Sequence, residues 1–153
     1  MTPLIEAARP DGVEARALID ELETHLVSNG YPQASRHGYS VEKLLREAVA
    51  FFLTRCDGLA VGCGGVQLCG AEYAELKRMY VRPAFRGRGL GKAMLDHLAD
   101  YARAHGAPAL RLETGIYEDA AIGLYQSFGF RRREPFGEYR EDPFSLYFEK
   151  ALA

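Results

Sequence analysis

A glycine-rich run between residues 86 and 91 contains the residue types that most clearly point to chemistry. It reads Arg-Gly-Arg-Gly-Leu-Gly and opens a long helical pattern. Glycine lets the backbone turn tightly and approach a ligand closely, so that successive amide N–H groups and the positive end of a helix can face an anion. Positive charge nearby comes from Arg82, Arg86, Arg88 and Lys92. The run therefore predicts a phosphate-binding turn.

Two other classes of nucleotide-binding protein also use glycine-rich turns, and both fit this sequence poorly. A P-loop ends in Gly-Lys-Ser/Thr, which is absent from the run. A dinucleotide-binding fold places GxGxxG after a first strand, with an acidic residue about 20 positions later. Here Gly87, Gly89 and Gly91 alternate with other residues and follow predicted antiparallel hairpins late in the chain.

The elements that must position this turn can be predicted from hydrophobic periodicity and from turn residues. Capping-box spacing of Asp11 and Glu14 starts the first helix, Ser40 caps the second, and Asp57-Gly58 predicts a hairpin. The predicted helices cover residues 11–29, 40–48, 89–105 and 119–128. The predicted strands cover residues 4–8, 49–55, 59–68, 73–82, 109–114, 130–135 and 145–150.

This order of elements, β-α-α-β-β-β-α-β-α-β-β, indicates a mixed α/β (α+β) fold with a mostly antiparallel twisted sheet. About seven strands are flanked by about four helices. With 153 residues, of which 48% are hydrophobic, the chain can bury one good core. We therefore expect a single domain over residues 1–153.

Composition and charge exclude several classes of protein. A formal net charge of −2 gives no general attraction to nucleic acid or to anionic membranes. Neither a membrane-spanning stretch nor an export signal is predicted, so we expect a cytoplasmic protein. The cysteines, Cys56, Cys63 and Cys69, have neither CxxC nor histidine-ligand spacing, which argues against a disulfide framework and a metal site. We expect reduced and mostly buried thiols.

Two separate motifs resemble those of the GNAT acetyltransferases. The acetyl-CoA signature of that family, Arg/Gln-x-x-Gly-x-Gly/Ala, is matched by Arg86, Gly89 and Gly91. A later family motif, Leu-Tyr followed after a few residues by Gly-Phe, is matched by Leu124-Tyr125 and Gly129-Phe130. The order of elements agrees over essentially the whole chain, and residues 76–81, Leu-Lys-Arg-Met-Tyr-Val, resemble the fourth strand of a bacterial branch.

The resemblance implies an enzyme that uses acetyl-CoA as co-substrate. The backbone of residues 79–81 would pair with the pantetheine arm in a gap between splayed fourth and fifth strands. The amides of residues 86–91 would hold the pyrophosphate. The acetyl-CoA-binding residues predicted in this way are Met79, Tyr80, Val81, Arg86, Gly87, Arg88, Gly89, Leu90, Gly91, Lys92 and Tyr125.

Acetyl transfer to an amine needs a proton acceptor, because an amine with a pKa near 10.4 is almost wholly protonated at pH 7. The family resemblance makes Glu75, eleven residues before Arg86, the first candidate for this base, and Glu113 the second. It also makes Tyr125 the acid that protonates the departing thiolate. The sequence departs from many relatives at Glu118, where an asparagine that contacts pantetheine is usual.

The acceptor is expected to bind opposite acetyl-CoA, between residues 31–39 and 136–144. Both segments are rich in aromatic and basic residues. We predict a small amine whose carboxylate is held by Arg78, Arg36 or Arg140. The candidate acceptor residues are Tyr31, Arg78, Glu113, Tyr139 and Arg140.

Other functions and assemblies stay open from the sequence. A protein N-terminus or a lysine side chain is an alternative acceptor, and a non-catalytic sensor of coenzyme A is a less favoured alternative. Apolar edge strands at the C-terminal end of the chain are compatible with a homodimer.

Overall fold

The computed structural model describes residues 2–152, over which seven strands form one sheet flanked by four helices. The strands are β1 Leu4–Ala7, β2 Ala50–Cys56, β3 Leu59–Cys69, β4 Tyr73–Val81, β5 Ala109–Gly115, β6 Arg131–Arg133 and β7 Ser145–Ala151. The helices are α1 Val13–Ser28, α2 Val41–Arg46, α3 Leu90–Ala104 and α4 Asp119–Phe128. Two short 3-10 turns cover Gln33–Ser35 and Pro83–Phe85.

The sheet has the strand order β1-β2-β3-β4-β5-β7-β6, and its single parallel pair is β4 with β5. These two strands pair only where Ala74 faces Leu110 and Glu75 faces Arg111. After Glu75 they separate, which leaves backbone groups at the end of β4 without a strand partner on that side. The predicted fold class and the splayed fourth and fifth strands are thereby confirmed.

A bulge in β4 decides which face its side chains occupy. Gly65 of β3 is opposite Lys77 of β4, and Cys63 of β3 is opposite Tyr80 of β4. The same stretch therefore spans two residues on β3 but three residues on β4. Arg78 takes up the extra residue with a left-handed φ of 55°. Leu76 packs in the core beneath α3 and α4, whereas Arg78 reaches α1. Because of the bulge, Leu76 and Arg78 lie on opposite faces of the sheet, although residues two apart on a regular strand share one face.

The helices pack on opposite faces of the sheet over separate parts of the core. On one side Met94, Leu95 and Leu98 of α3 are buried with the apolar side chains of β5 and β7. Gly64 of β3 lets α3 approach, because a Cβ there would lie 2.9 Å from Cγ of Met94. On the other side Leu18 of α1 belongs to a second buried cluster that includes residues of α2 and β2.

Two local predictions about helix ends were wrong. The first helix begins after Gly12 without a side-chain cap, because Asp11 instead pairs with Arg9 at 2.9 Å. The second helix ends at Arg46 rather than at Ala48, which has a left-handed φ of 52°. Its predicted cap is confirmed, since the side chain of Ser40 accepts a hydrogen bond from the Lys43 amide at 3.1 Å.

The cysteines agree with the prediction of free, mostly buried thiols. Cys56 and Cys63 are buried and Cys69 is half-buried. Burial raises the pKa of the Cys63 thiol to about 12, which keeps it protonated. Between residues 2 and 152 no helix combines the length and the apolar character that a membrane span requires.

Candidate active site

The gap between β4 and β5 opens into a cavity of about 490 Å³, which we call the loop cavity. It is lined by residues 79–81, 85–87, 89–92, 117–121, 124 and 125, together with Leu22 and His25. These residues come from α1, from the end of β4, from the glycine-rich run and the 3-10 turn before it, from the start of α3, and from α4 with the loop that precedes it. The predicted acetyl-CoA-binding residues thus line one cavity, except for Arg88.

The glycine-rich run has the geometry of an anion-binding turn. Gly87 and Gly89 have left-handed φ angles of 77° and 79°, and no heavy atom lies within 4 Å of where a Cβ would stand. Backbone conformation rather than crowding therefore requires glycine at these positions. Helix α3 begins directly afterwards at Leu90, so its first-turn amides lack intrahelical acceptors and are available to bind an anion.

Gly91 serves a different purpose from the two glycines before it. A Cβ at Gly91 would lie 2.7 Å from Cδ2 of Leu124, so the glycine lets α3 and α4 pack closely. Because α4 also carries Tyr125, this close packing of α3 and α4 helps to place Tyr125 at the loop cavity.

The basic residues near the run divide into two groups. Arg86 and Lys92 line the loop cavity, and Nε of Arg86 donates to the Val81 carbonyl at 3.0 Å. In contrast, Arg88 stands over the ring of Phe85 at 5.1 Å.

Arg82 belongs to the fold rather than to the loop cavity. Its guanidinium pairs with Glu21 at 2.9 Å and donates to the Ala60 carbonyl at 2.9 Å. It thereby ties the end of β4 to α1.

A second cavity of about 130 Å³, which we call the inner chamber, adjoins the loop cavity. It is lined by residues 35–38, 76–79 and 112–115, together with Leu22, Leu26, Tyr31, Glu118, Ala121 and Tyr125. The residues that line both cavities are Leu22, Met79, Glu118, Ala121 and Tyr125. The two cavities therefore meet where these side chains lie.

Tyr125 is buried at this junction, with only 8% of its surface exposed. Burial raises its pKa above the ordinary value of 10, and the negative charges of Glu113 and Glu118 raise it further. The phenol therefore keeps its proton at neutral pH and can donate it. Phe130 and Phe148 pack around the ring at centroid distances of 5.8 and 6.5 Å, which fixes its direction.

Glu113 reaches the inner chamber from β5. Its carboxylate accepts a hydrogen bond from Oγ of Ser145 at 2.8 Å. Burial raises the pKa of Glu113 above its ordinary value of 4.5, while Ser145 and the charges of His37 and Lys77 oppose that rise. A carboxylate with a raised pKa beside a small chamber is suited to accepting a proton.

Glu75 is also buried, but it does not line either cavity that contains Tyr125. Its Oε2 accepts hydrogen bonds from Lys77 Nζ at 2.8 Å and from the Tyr139 hydroxyl at 2.5 Å. Lys77 Nζ also lies 3.8 Å from the centre of the Tyr39 ring. These contacts use the carboxylate to neutralise a buried ammonium group, and burial next to Glu75 raises the pKa of Tyr139.

Glu75 faces a third cavity of about 740 Å³, which we call the outer cleft. Residues 36–39 and 137–142, which belong to the two segments where the acceptor is expected, form two of its walls. The two segments are joined where Asp142 accepts from Oγ of Ser35 at 3.0 Å and contacts Nε2 of His37 at 3.3 Å. The residues shared with the inner chamber are Arg36, His37, Gly38 and Lys77.

The predicted acceptor-binding arginines differ in their availability. Arg78 is buried and pairs with Glu23 at 2.6 Å. Arg36 lies 3.9 Å from the same carboxylate and donates to the Tyr31 carbonyl at 2.7 Å. Arg140 is exposed at the rim of the outer cleft, with its side chain towards solvent. Arg140 is therefore the most accessible of the three.

Glu118 organises the wall between the two cavities, a role that sequence reasoning missed. Its carboxylate accepts from Asn29 at 3.1 Å and from the Tyr31 hydroxyl at 2.9 Å, and it lies 2.8 Å from Nε2 of His25. The Tyr31 hydroxyl accepts in turn from the Tyr117 amide at 2.8 Å. A signal was present, because His25 and Asn29 are four residues apart and share one face of the helix end.

Comparisons with known proteins agree with this geometry. The sequence model of the Acetyltransferase (GNAT) family matches residues 17–130. The chain is 42% identical over 136 residues to an IAA acetyltransferase of Azospirillum brasilense, covering 88% of each protein. It is also 32% identical over 125 residues to the N-acetyltransferase YsnE of Bacillus subtilis, covering 79% of this chain and 83% of that protein.

Solved structures show the same fold. A protein of Klebsiella pneumoniae assigned as an acyl-CoA N-acyltransferase superposes with a TM-score of 0.84 at 33% identity over 99% of each chain. The PaiA N-acetyltransferase of Thermoplasma acidophilum, solved with coenzyme A, has a TM-score of 0.77 at 21% identity over 99% of each chain. The chain belongs to the GNAT acetyltransferase family. It is an N-acetyltransferase that depends on acetyl-CoA.

Proposed function

We propose that this enzyme acetylates the amine of a small-molecule acceptor directly, with acetyl-CoA and the acceptor bound together. The observation that carries this proposal is the meeting of the loop cavity and the inner chamber at Met79, Ala121 and Tyr125. Reactants that enter from opposite sides would meet there, which favours direct transfer because no covalent enzyme intermediate is needed.

The residues of the loop cavity fit acetyl-CoA. The amides of residues 86–91 and the start of α3 would hold the pyrophosphate, with Arg86 and Lys92 adding charge. The backbone of residues 79–81, which has no pairing with β5, would hydrogen-bond the pantetheine amides. When bound, acetyl-CoA supplies the acyl carbon and the thiol leaving group. Arg88 would act only through longer-range charge.

Glu113 is the base that this proposal favours over Glu75. Glu113 lines the same chamber as Tyr125, and its carboxylate has a neutral hydrogen-bond donor in Ser145. Glu75 faces the outer cleft, where it neutralises Lys77. Accepting a proton would leave Lys77 as an uncompensated buried charge, which costs several kcal/mol.

Tyr125 is the acid in this proposal. Its hydroxyl is buried between the two cavities and its raised pKa keeps it protonated. Donating that proton to the departing sulfur would prevent the expulsion of a free thiolate beside the carboxylates of Glu113 and Glu118.

The acceptor in this proposal is small because the inner chamber is small, about 130 Å³. The rest of the acceptor would lie in the outer cleft among Tyr39 and Tyr139, with a carboxylate near the exposed Arg140. The alternative is the N-terminus of a protein. It is motivated by RimI of Mycobacterium tuberculosis, which is 40% identical over 81 residues, half of this chain.

Release of coenzyme A thiol, followed with a panel of amines, amino acids and peptides, tests the acceptor class. We expect turnover with small amines that carry a carboxylate, and a lower KM with wild type than with Arg140→Ala. Turnover confined to peptides would support the alternative acceptor and exclude the small-molecule proposal.

The role of Tyr125 is tested by Tyr125→Phe, with Tyr101→Phe on α3 as the matched control away from both cavities. We expect kcat to fall about 100-fold for Tyr125→Phe, the contribution of a general acid. The Kd for coenzyme A, measured by calorimetry, should stay unchanged. Equal losses of binding and turnover would make the tyrosine structural.

A further inference from the structure

The reaction proposed above must send one proton from a buried chamber to solvent in every turnover. An acceptor that arrives as an ammonium ion forms a new N–C bond and gives up two protons. The C–S bond breaks, and the sulfur takes up one proton from Tyr125, which regains its proton from the first of the two that leave the nitrogen. The second proton has to leave, because the products are a neutral amide and a neutral thiol. An exit route is therefore a requirement of the chemistry.

The exit can be located from the residues that connect the inner chamber to the outer cleft. Within the described part of the chain these are Arg36, His37, Gly38 and Lys77. A guanidinium and an ammonium group carry only donors and have no lone pair to accept a proton, and glycine has no side chain. Imidazole both accepts and releases protons near neutral pH. His37 is therefore the group at this passage that can exchange the proton.

The surroundings of His37 fix the ring for this task. Its Nε2 lies 3.3 Å from Oδ2 of Asp142, and the Tyr139 ring lies edge-on at a centroid distance of 5.4 Å. Burial tends to raise the pKa of Asp142, but hydrogen bonds from the Phe144 amide, Ser35 and His37 outweigh it and lower the pKa.

Because Asp142 is ionised, it can only accept, so Nε2 of His37 carries a hydrogen. The other ring nitrogen, Nδ1, is then the proton acceptor. The neutral ring therefore has one nitrogen free to take up a proton while the other holds Asp142.

The charged groups around His37 come from β4, β5, the loop before β7 and its own segment, and they include the cations Arg36 and Arg78. Glu113 of β5 faces it across the inner chamber, and the protonated imidazole favours the ionised form of that carboxylate. Lys77 and its partner Glu75 lie on β4, and Asp142 lies in the loop before β7. The side chain of His37 is 26% exposed, so the ring contacts solvent as well as the chamber.

From this arrangement we propose that His37 carries the proton from Glu113 to solvent through the outer cleft, with Asp142 orienting the imidazole ring. The proposal rests on the function proposed above. Glu113 takes the proton from the acceptor nitrogen and passes it through water to His37. The ring then releases its proton to solvent, which returns Glu113 to its ionised form for the next turnover.

The test compares His37→Ala with His105→Gln, an exposed histidine on the end of α3 that serves as the control. Turnover is measured in dilute buffer with saturating substrates. For His37→Ala we expect kcat to fall about tenfold or more, the lower part of the range for losing a proton-transfer group. Added imidazole should restore kcat, and KM for acetyl-CoA should not change. Asp142→Asn should fall between His37→Ala and wild type.

Two results would overturn the role of His37. One is a kcat within about twofold of wild type in dilute buffer, where a missing proton-exit group should limit turnover. The other is a loss that neither imidazole nor other buffers restore, while the melting temperature and coenzyme A binding stay unchanged. If either result is found while Glu113→Gln is inactive, then His37 is not the exit for the proton but Glu113 remains the base. If Glu113→Gln is fully active, the assignment of the base fails instead.

Discussion

Replacing Glu113 with glutamine tests the central assignment of the active site. The substitution keeps the shape of the side chain and its hydrogen bond from Ser145, but it removes the ability to accept a proton. Glu75→Gln is the matched control, because it makes the same chemical change at a buried carboxylate on the neighbouring strand.

The expected size of the effect follows from the protonation of the acceptor. The pKa of the amine, near 10.4, lies about 3.4 units above pH 7. Removing its proton at pH 7 therefore costs roughly 4 to 5 kcal/mol of free energy. Without a base, the enzyme must use the small neutral fraction already in solution. We expect kcat/KM of Glu113→Gln to be about 100-fold or more below wild type at pH 7. The deficit should shrink about tenfold per pH unit until the amine itself is neutral.

Stability distinguishes a lost base from a lost fold. Burial raises the pKa of Glu113, so the folded state holds its proton more tightly than the unfolded state. This carboxyl therefore contributes stability that is fully present below its ordinary pKa of 4.5 and is lost as the pH rises through the folded value. Glutamine is neutral at every pH, so Glu113→Gln should melt at or above the wild-type temperature at pH 7.

The assay is the pH profile of kcat/KM for wild type and both variants, measured by thiol release. The wild-type acid limb should lie above pH 4.5, because it reports the raised pKa of Glu113. Glu113 is not the base if Glu113→Gln keeps the wild-type profile. Glu75 is the base instead if Glu75→Gln shows the large, pH-dependent loss and Glu113→Gln does not.

Three further predictions concern stability and are measured by urea unfolding. Lys77→Met leaves Glu75 buried without its ammonium partner and should cost about 3–5 kcal/mol, and a cost below about 1 kcal/mol would contradict the buried pair. Ser40→Ala removes the cap of α2 and should cost about 1 kcal/mol, while Ser40→Asp should cost little. Gly91→Ala forces a methyl group against Leu124 and should cost about 1–3 kcal/mol. Leu124→Ala should relieve that cost in the double mutant, and strict additivity would argue against the contact.

The order of elements was predictable because the signals for each helix and strand lie within the residues of that element and its flanking turns. The amphipathic pattern of α3, its end at Gly106 and the hairpin at Asp57 and Gly58 all depend on neighbouring residues. The left-handed φ angles of the glycine-rich run, which the loop cavity needs, were predictable for the same reason. The capping box at Asp11 failed because the carboxylate bonds instead to Arg9, two residues away, and the helix begins after Gly12.

The sequence by itself determined the family, the fold, the glycine-rich turn before α3 and the place of Tyr125 on α4, because these depend on short motifs and local periodicity. Only the tertiary structure decided which carboxylate shares a chamber with Tyr125. The bulge at Arg78 and the separation of β4 from β5 after Glu75 set the direction of each side chain along those strands. The partners that neutralise Glu75 or gather around Glu118 come from segments far apart in the chain. How these partners affect the protonation of the carboxylates could not be predicted from neighbouring residues in the sequence, because it depends on every group that surrounds each carboxylate in the fold.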